Sequence, residues 1–256
     1  MLLTIDIGNT NTVLGVFSDD TLAAHWRIRT ERGRTSDELA VLISTLFQGS
    51  PVAMHGVSGV IISSVVPPLN PTFADLCRRY LAVEPHFVGP GIKTGMPILY
   101  DNPREVGADR IVNAVAAYHR HPTDLVVVDF GTATTFDCIS AKGEYLGGAI
   151  APGIMISVEA LAENASKLPR VEIFSRPKNV VAKDTISSMN VGIIYGYAGM
   201  VDGVVRAINA ERGVQCTVLA TGGLAEMVAA HSDTIDEVDE LLTLRGLKLL
   251  YQRNQA

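Results

Sequence analysis

Cysteine is scarce in this chain. Cys77, Cys138 and Cys216 are the only three in 256 residues, far apart, odd in number and without a C-x-x-C pair. Such usage supports neither a disulfide framework nor a thiolate zinc site, and it fits reduced thiols in a cytoplasmic protein. Long apolar runs are missing too. None approaches the ~18 residues of a membrane span, and Asp6 breaks the N-terminal run before it could serve as a signal-peptide core. Nor is there a surplus of positive charge. Against 21 Lys and Arg stand 27 Asp and Glu, a formal net charge of -6, which argues against nucleic acid or an anionic membrane as partner. The local basic stretch Arg27, Arg29, Arg32, Arg34 is interrupted by Glu31 and followed by Asp37 and Glu38, so it reads as a solvated strand end or as a phosphate-facing edge. His119 and His121, the one close histidine pair, fall where a helix should end. That is ordinary helix C-terminal placement, with metal binding as the alternative.

What is abundant is apolar surface. Hydrophobic residues make up 47% and charged residues 19% of the chain, enough for a sizeable core, and the length suits two intimately packed domains. Two segments look like copies of one device: Asp6-Ile7-Gly8-Asn9-Thr10-Asn11-Thr12 and Asp129-Phe130-Gly131-Thr132-Ala133-Thr134-Thr135. Each joins two apolar runs, which reads as strand, tight turn, strand. Aspartate and glycine hold the same places, and Thr12 matches Thr135 by count. The glycines are expected to take backbone angles closed to other residues and to let a ligand approach the main chain. Successive N–H groups in such a turn form an anion-binding concavity. The aspartate would hold a cation rather than the phosphate itself. Paired turns of this kind suggest a nucleotide whose phosphates sit between two related half-molecules.

The order of elements repeats as well. Strands are expected at Leu2 to Asp6, Thr12 to Phe17 and Leu22 to Arg29, then a helix capped by Thr35 or Ser36 through Phe47. A strand over Val57 to Val65, a helix near Pro71 to Tyr80 and a short strand at His86 to Val88 follow. Glycines and prolines rule out a regular element from Gly89 to Pro103, and a helix should run from about Arg104 to His119. The pattern then restarts with strands at Leu125 to Asp129, Thr134 to Ser140 and Tyr145 to Ile150, and a helix from Ile154. A long helical pattern over Thr185 to Ala210 contains Gly192, Gly196, Gly199 and Gly203. Glycine weakens an isolated helix, so another helix or a partner subunit should pack there. A strand over Val214 to Ala220 and helices over Leu224 to Ala230 and Leu244 to Tyr251 end the chain. The fold class expected is α/β: two duplicated βββαβα halves, residues 1–120 and 121–256, each a mixed five-stranded sheet flanked by helices.

A duplicated βββαβα unit with a D-x-G turn at the head of each half resembles the superfamily of actin, sugar kinases and heat-shock chaperone ATPases, the ribonuclease H-like fold. The wording of the motifs is narrower. D-I-G-N-T-N at Asp6 to Asn11, D-N-P-R-E-V-G-A-D-R at Asp101 to Arg110 and D-F-G-T-A-T-T-F-D at Asp129 to Asp137 resemble the type III pantothenate kinases. Gly147-Gly148, Ile150 to Gly153, Thr185, Thr221-Gly222-Gly223 and Leu244 to Leu247 fit the same pattern, in order, over almost the whole chain.

The resemblance implies ATP-dependent phosphorylation of pantothenate in coenzyme A biosynthesis, by a homodimer that needs Mg-ATP and a monovalent cation, K⁺ or NH₄⁺. It implies that Asp6, Ile7, Gly8, Asn9, Thr10, Asn11, Thr12 and Val13 take the nucleotide phosphates, with Mg²⁺ on Asp6. Thr132, Gly222 and Gly223 complete the nucleotide contacts, helped by the hydroxyls of Thr134 and Thr135, and Asp129 holds the monovalent cation. Asp109 is implied as the catalytic carboxylate, kept ionised by Arg110. Residues alone leave open a helix ion pair of Asp109 with Arg110, or one with Glu105 and Arg104. Tyr100, Gly107, Ala108, Arg110 and Thr185 are implied as pantothenate contacts. Tyr100 could also be a loop aromatic covering the core, and Thr185 a helix N-terminal cap. Two other readings remain: a phosphohydrolase of the same superfamily acting on polyphosphate or guanosine polyphosphates, or a non-enzymatic transcriptional accessory factor. The first would need a basic channel and the second a basic recognition element, and neither is visible.

Overall fold

The computed structural model describes residues 1–171 and 179–255. They form two compact units. The first comprises residues 1–97, 101–116 and the chain from Leu242 on, and the second comprises residues 98–100 and 117–241. Both units are therefore discontinuous along the chain.

In the first unit, β1 (Leu2–Ile7), β2 (Asn11–Ser18) and β3 (Thr21–Arg29) form an antiparallel meander. α1 (Ser36–Gln48) follows, then β4 (Gly59–Ser64), α2 (Asn70–Leu76) and β5 (His86–Phe87). The sheet order is β3-β2-β1-β4-β5, with β4 parallel to both its neighbours. α1 starts where a capping box puts it. The Thr35 hydroxyl accepts from the Glu38 N–H, and the Glu38 carboxylate accepts from the Thr35 N–H at 2.8 Å. Leu3, Ile5, Ile7, Leu14, Val16, Val60 and Ile62 bury one sheet face against α1 and α2. The helix expected from about Arg104 begins later, as α3 (Ala108–Arg120), after a separate short turn at Pro103–Glu105.

In the second unit, β6 (Leu125–Phe130), β7 (Ala133–Ile139) and β8 (Tyr145–Pro152) repeat the meander. α4 (Ile154–Asn164), α5 (Thr185–Arg212), β9 (Thr217–Thr221), α6 (Ala225–Ala229) and β10 (Glu237–Val238) complete it. Its sheet runs β10-β9-β6-β7-β8, the same order as the first. β10 is a two-residue edge strand with no local signal of its own. Arg120 reaches both Glu237 and Asp239, and His121 meets Glu237 at 2.8 Å, which fixes that edge.

α7 (Leu242–Gln255) then returns to the first unit and covers its second sheet face. Three glycines make room for it. A Cβ on Gly15 would stand 2.8 Å from a Leu244 methyl, one on Gly59 would strike the Tyr251 ring, and one on Gly246 would strike the Val112 carbonyl of α3. The Leu244-Arg245-Gly246-Leu247 segment is thus the place where two helix backbones meet. This packing is why a cut at one point along the chain does not separate the units.

α5 carries two opposite stripes. Ile194, Ala198, Val201 and Val205 are buried in the core. At 100° per residue, Gly192, Gly196, Gly199 and Gly203 lie diametrically across the helix, and nothing stands within 4 Å of where their side chains would begin. Among the described residues, then, no helix of this chain supplies the neighbour that the glycine spacing asks for. By length and composition only, α5 is long and apolar enough to cross a membrane, as the core helix of a soluble protein can also be. Its Asp202, buried in the second unit, accepts from the Ser232 hydroxyl at 2.6 Å, the Thr234 hydroxyl at 2.8 Å and the Asp233 N–H at 3.1 Å. Burial pushes that carboxyl up, but these bonds outweigh it and hold it below the ordinary aspartate range.

Candidate functional site

The first turn stands where β1 stops. Ile7 pairs with Thr12 and Asp6 with Val13, and the Gly8 N–H closes the turn on the Asn11 carbonyl at 3.0 Å. Gly8 does not take a positive φ, contrary to expectation, and neither does Gly131. What Gly8 provides is space, since a Cβ there would lie 2.9 Å from the Asn11 carbonyl oxygen. Strand alternation puts Asp6 on the sheet face that α7 covers and Thr12 on the opposite, α1 face. Thr12 is buried with its hydroxyl 2.9 Å from that of Thr30 and pairs with Ile28 of β3, so its hydroxyl is turned away from the Asp6 face. Asn9 and Thr10 form the exposed tip, where an Arg32 guanidinium nitrogen stands 3.4 Å from Asn9 Oδ1. One member of the basic stretch therefore does border the turn.

Asp109 enters from the start of α3. Gly107 supplies the first helical carbonyl, accepting from the Ile111 N–H at 3.3 Å. A Cβ on Gly107 would meet Asp109 Oδ1 at 2.5 Å, so glycine leaves the carboxylate room to fold back over the helix start. The same point lies 3.8 Å from Val65, whose N–H donates to the Ile7 carbonyl at 3.0 Å. Asp109 thus stands at the end of β1 where the Asp6 turn begins. The Arg110 N–H donates to Asp109 Oδ1 at 2.8 Å, and Arg110 itself is buried. Asp109 keeps some solvent-facing surface, but its carboxyl is closely surrounded by protein. Burial pushes its pKa above the ordinary 3.8, and the opposing N–H and charge of Arg110 do not cancel that. Arg110 was expected to hold the carboxyl in its ionised range, and desolvation is the larger effect. Glu105 accepts from the Asn102 amide at 2.8 Å.

In the second unit the equivalent turn is one residue shorter. Asp129 pairs with Thr135 and Phe130 with Thr134, so the counterpart of Thr12 is Thr134, not Thr135. Thr134 is fully buried on the α5 side, and its hydroxyl points away from the Asp129 face. Thr135 shares the Asp129 face, while Thr132 is exposed at the tip. The Thr132 carbonyl accepts from the Gly153 N–H at 3.1 Å, which explains the Pro152-Gly153 pair. Gly222 has φ +96, and a Cβ there would lie 2.6 Å from the Phe130 carbonyl oxygen and 2.8 Å from Asp129 Oδ1. The Thr221-Gly222-Gly223 turn and Asp129, separate in the sequence, are therefore in direct contact.

Tyr100 belongs to this unit and is half-buried over Gly147. Thr185 opens α5 without capping it. The cap is Asp184, whose carboxylate accepts from the Ser187 N–H at 2.9 Å, leaving Thr185 exposed in an open groove with Ser166, Lys167 and Pro169. Among the described residues no three His, Cys, Asp or Glu side chains gather as metal ligands. Cys77 and Cys138 are buried thiols pushed up to about 12 by desolvation, and so inert. Sequence reasoning missed the buried Asp137–Tyr145 contact at 2.7 Å. Alternation along β7 does place Thr135 and Asp137 on one face, but nothing in the sequence brings Tyr145 to them.

The profile of the type III pantothenate kinase family matches residues 2–207. A type III pantothenate kinase of Myxococcus xanthus is 59% identical over 256 residues, covering 100% of each chain. Among solved structures, component A of the (R)-2-hydroxyglutaryl-CoA dehydratase of Acidaminococcus fermentans superposes with a TM-score of 0.57 at 13% identity, over 100% of this chain and 99% of that one. A ROK hexokinase from Thermus thermophilus gives 0.52 at 11%, over 99% of both. At such identities the two structures speak for the fold, that of actin-like ATPases and sugar kinases.

A carboxyl whose pKa is raised by folding is bound more tightly to its proton in the native state, so it costs stability as pH rises above the unfolded value near 3.8. Asp109→Asn keeps an oxygen for the Arg110 N–H and removes that cost. Calorimetry at pH 7 should show Tm rising by roughly 2–4 °C, the shift that about 1 kcal/mol gives a chain of this size. The gain should fade as pH falls below 4. A lower Tm at pH 7, or a gain that ignores pH, would count against a buried, destabilising charge.

Proposed function

This chain belongs to the type III pantothenate kinase family, and from that premise we propose which residues carry the reaction. The reaction is ATP-dependent phosphorylation of pantothenate, in coenzyme A biosynthesis. The observation that carries the assignment is Asp109, a desolvated carboxylate at the glycine-opened start of α3, beside the end of β1.

Pantothenate's primary hydroxyl is far too weak an acid for a carboxylate to ionise in advance. Asp109 therefore orients it and accepts its proton late, as the hydroxyl oxygen bonds to the γ-phosphorus and the bond to the bridging oxygen breaks, leaving its electrons on ADP. Desolvation makes Asp109 a better proton acceptor than an exposed aspartate. Asp6 would hold the Mg²⁺ that accompanies ATP, and residues 7–13 would offer N–H groups and the tip side chains to its phosphates. Thr132, Gly222 and Gly223 are the further nucleotide contacts in this reading. Arg110, buried next to Asp109, and the backbone of Gly107 and Ala108 receive pantothenate, with Tyr100 and Thr185 as further contacts. Asp109→Asn should cut kcat by about 10²–10⁴-fold, the usual loss of a general base, with Mg-ATP affinity retained. Asp6→Asn should do the reverse and weaken Mg-ATP in titration calorimetry. Near-normal turnover in the first variant, or unchanged affinity in the second, would reassign the roles.

Asp129 fits a monovalent cation. Its carboxylate lies against Gly222, where the Phe130 carbonyl oxygen also approaches, and oxygen ligands are what K⁺ accepts. Such an ion would offset repulsion between Asp129 and a phosphate. Activity should therefore need K⁺ or NH₄⁺. Full turnover in a Na⁺ buffer free of both would remove the cation from the scheme.

The active form in this reading is a cytoplasmic homodimer, without membrane or nucleic-acid partners, that pairs the bare glycine stripe of α5. Ile186 at 52% and Tyr195 at 38% exposure flank that stripe, and a second copy covers it by two-fold symmetry. Thr185 would then lie near the other subunit's pantothenate site. Detergent-free sedimentation should give about twice 27.4 kDa, and Gly199→Glu should lower both dimerisation and pantothenate affinity. A fully active monomer, or recovery only with membranes, would refute this.

A further inference from the structure

Tyr145 is the bulkiest side chain with no solvent exposure in the described chain. A tyrosine so placed needs a partner for its hydroxyl, and it donates to Asp137 Oδ1 at 2.7 Å. Asp137 is itself fully buried and accepts from the Thr135 hydroxyl at 3.3 Å on its other oxygen. Two apolar side chains would fill this space without desolvating a carboxylate, and such replacements are commonly neutral or stabilising. The polar pair therefore invites a role beyond packing.

What Tyr145 holds is the segment 98–100. Its carbonyl accepts from the Leu99 N–H at 2.8 Å, and Ile98 pairs with it in a parallel bridge. Its ring centroid lies 6.4 Å from that of Tyr100. Two residues further along β8, Gly147 adopts φ +124, and the Tyr100 ring lies 3.6 Å from where a Cβ would stand. Glycine there provides both the backbone angle and a flat bed for the ring. Residues 98–100 group with the second unit although the chain on both sides of them groups with the first. These contacts are what assign the segment.

We propose that the Asp137–Tyr145 pair is a positioning device for the phosphoryl acceptor: it fixes the seat of Tyr100 and so sets the affinity for pantothenate. The inference rests on the reading of Tyr100 as a pantothenate contact. Tyr145→Phe deletes only the hydroxyl that locks the ring, and it retains the fold-filling bulk. It should raise the pantothenate KM about tenfold, the usual scale for a buried hydrogen bond to a charged partner. The ATP KM should stay within about twofold and kcat within about threefold. Asp137→Leu should match it, while Asp137→Asn, which keeps an oxygen for the hydroxyl, should recover most of the affinity. In a Tyr100→Ala background, Tyr145→Phe should add less than about twofold, because the residue being positioned is gone.

Equal losses for both substrates, full additivity with Tyr100→Ala, or a fall in Tm with both KM values unchanged would each overturn the positioning role. A raised pantothenate KM in Tyr100→Ala beside a silent Tyr145→Phe would overturn it alone. If Tyr100→Ala leaves pantothenate binding unchanged, the Tyr100 assignment falls first and the positioning role falls with it. Should Asp137→Leu yield no folded protein, Tyr145→Phe and the double variant decide the matter by themselves.

Discussion

β1 and β6 are each hydrogen-bonded on both sides, between an antiparallel and a parallel neighbour, and each is buried on both faces over most of its length. A strand held this way has no freedom to slip, because a shift of one residue would turn its apolar set out of the core. The place where it stops is therefore fixed to within a fraction of a residue. Asp6 and Asp129 occupy those places. Each is set by its strand, and each is followed two residues later by a glycine that leaves the turn room to close. The contact of Gly222 with Asp129 and the arrival of Asp109 through Val65 both depend on that fixed end.

Asp6 lies near the end of β1, on the sheet face that α7 covers. Asp109 is crowded against protein, with burial dominating over the neighbouring arginine. That crowding costs folding free energy and raises proton affinity. Gly107 leaves room for the carboxylate, since a Cβ there would stand 2.5 Å from Asp109 Oδ1.

α5 shows the same economy in packing. One stripe of branched and small side chains enters the core, while Asp202 pins the adjacent turn by receiving four donors of residues 232–234. The opposite stripe is glycine at the same spacing, with open space beyond it. A helix that gives up propensity on its outer face needs a neighbour there.

Much of this was legible beforehand. Alternation and turn residues gave both meanders, the Thr35 capping box fixed the start of α1, and the repeated D-x-G turns announced the duplication. Local rules suffice there because each depends on residues a few positions apart. Other features needed tertiary structure. The shortening of the second turn by one residue paired Thr134 with Thr12, and counting along the chain could not show it. The return of α7 to the first sheet depends on Gly15, Gly59 and Gly246, far apart in sequence. The positions of Tyr100 on Gly147 and of Tyr145 on Asp137, and the upward pKa of Asp109, likewise come from surroundings assembled from distant segments. Sequence determined which residues could do the chemistry, since side-chain type and strand period are local properties. Only the folded chain decided which of them face the same way and how much water they keep, because facing and desolvation are set by neighbours that only packing brings together.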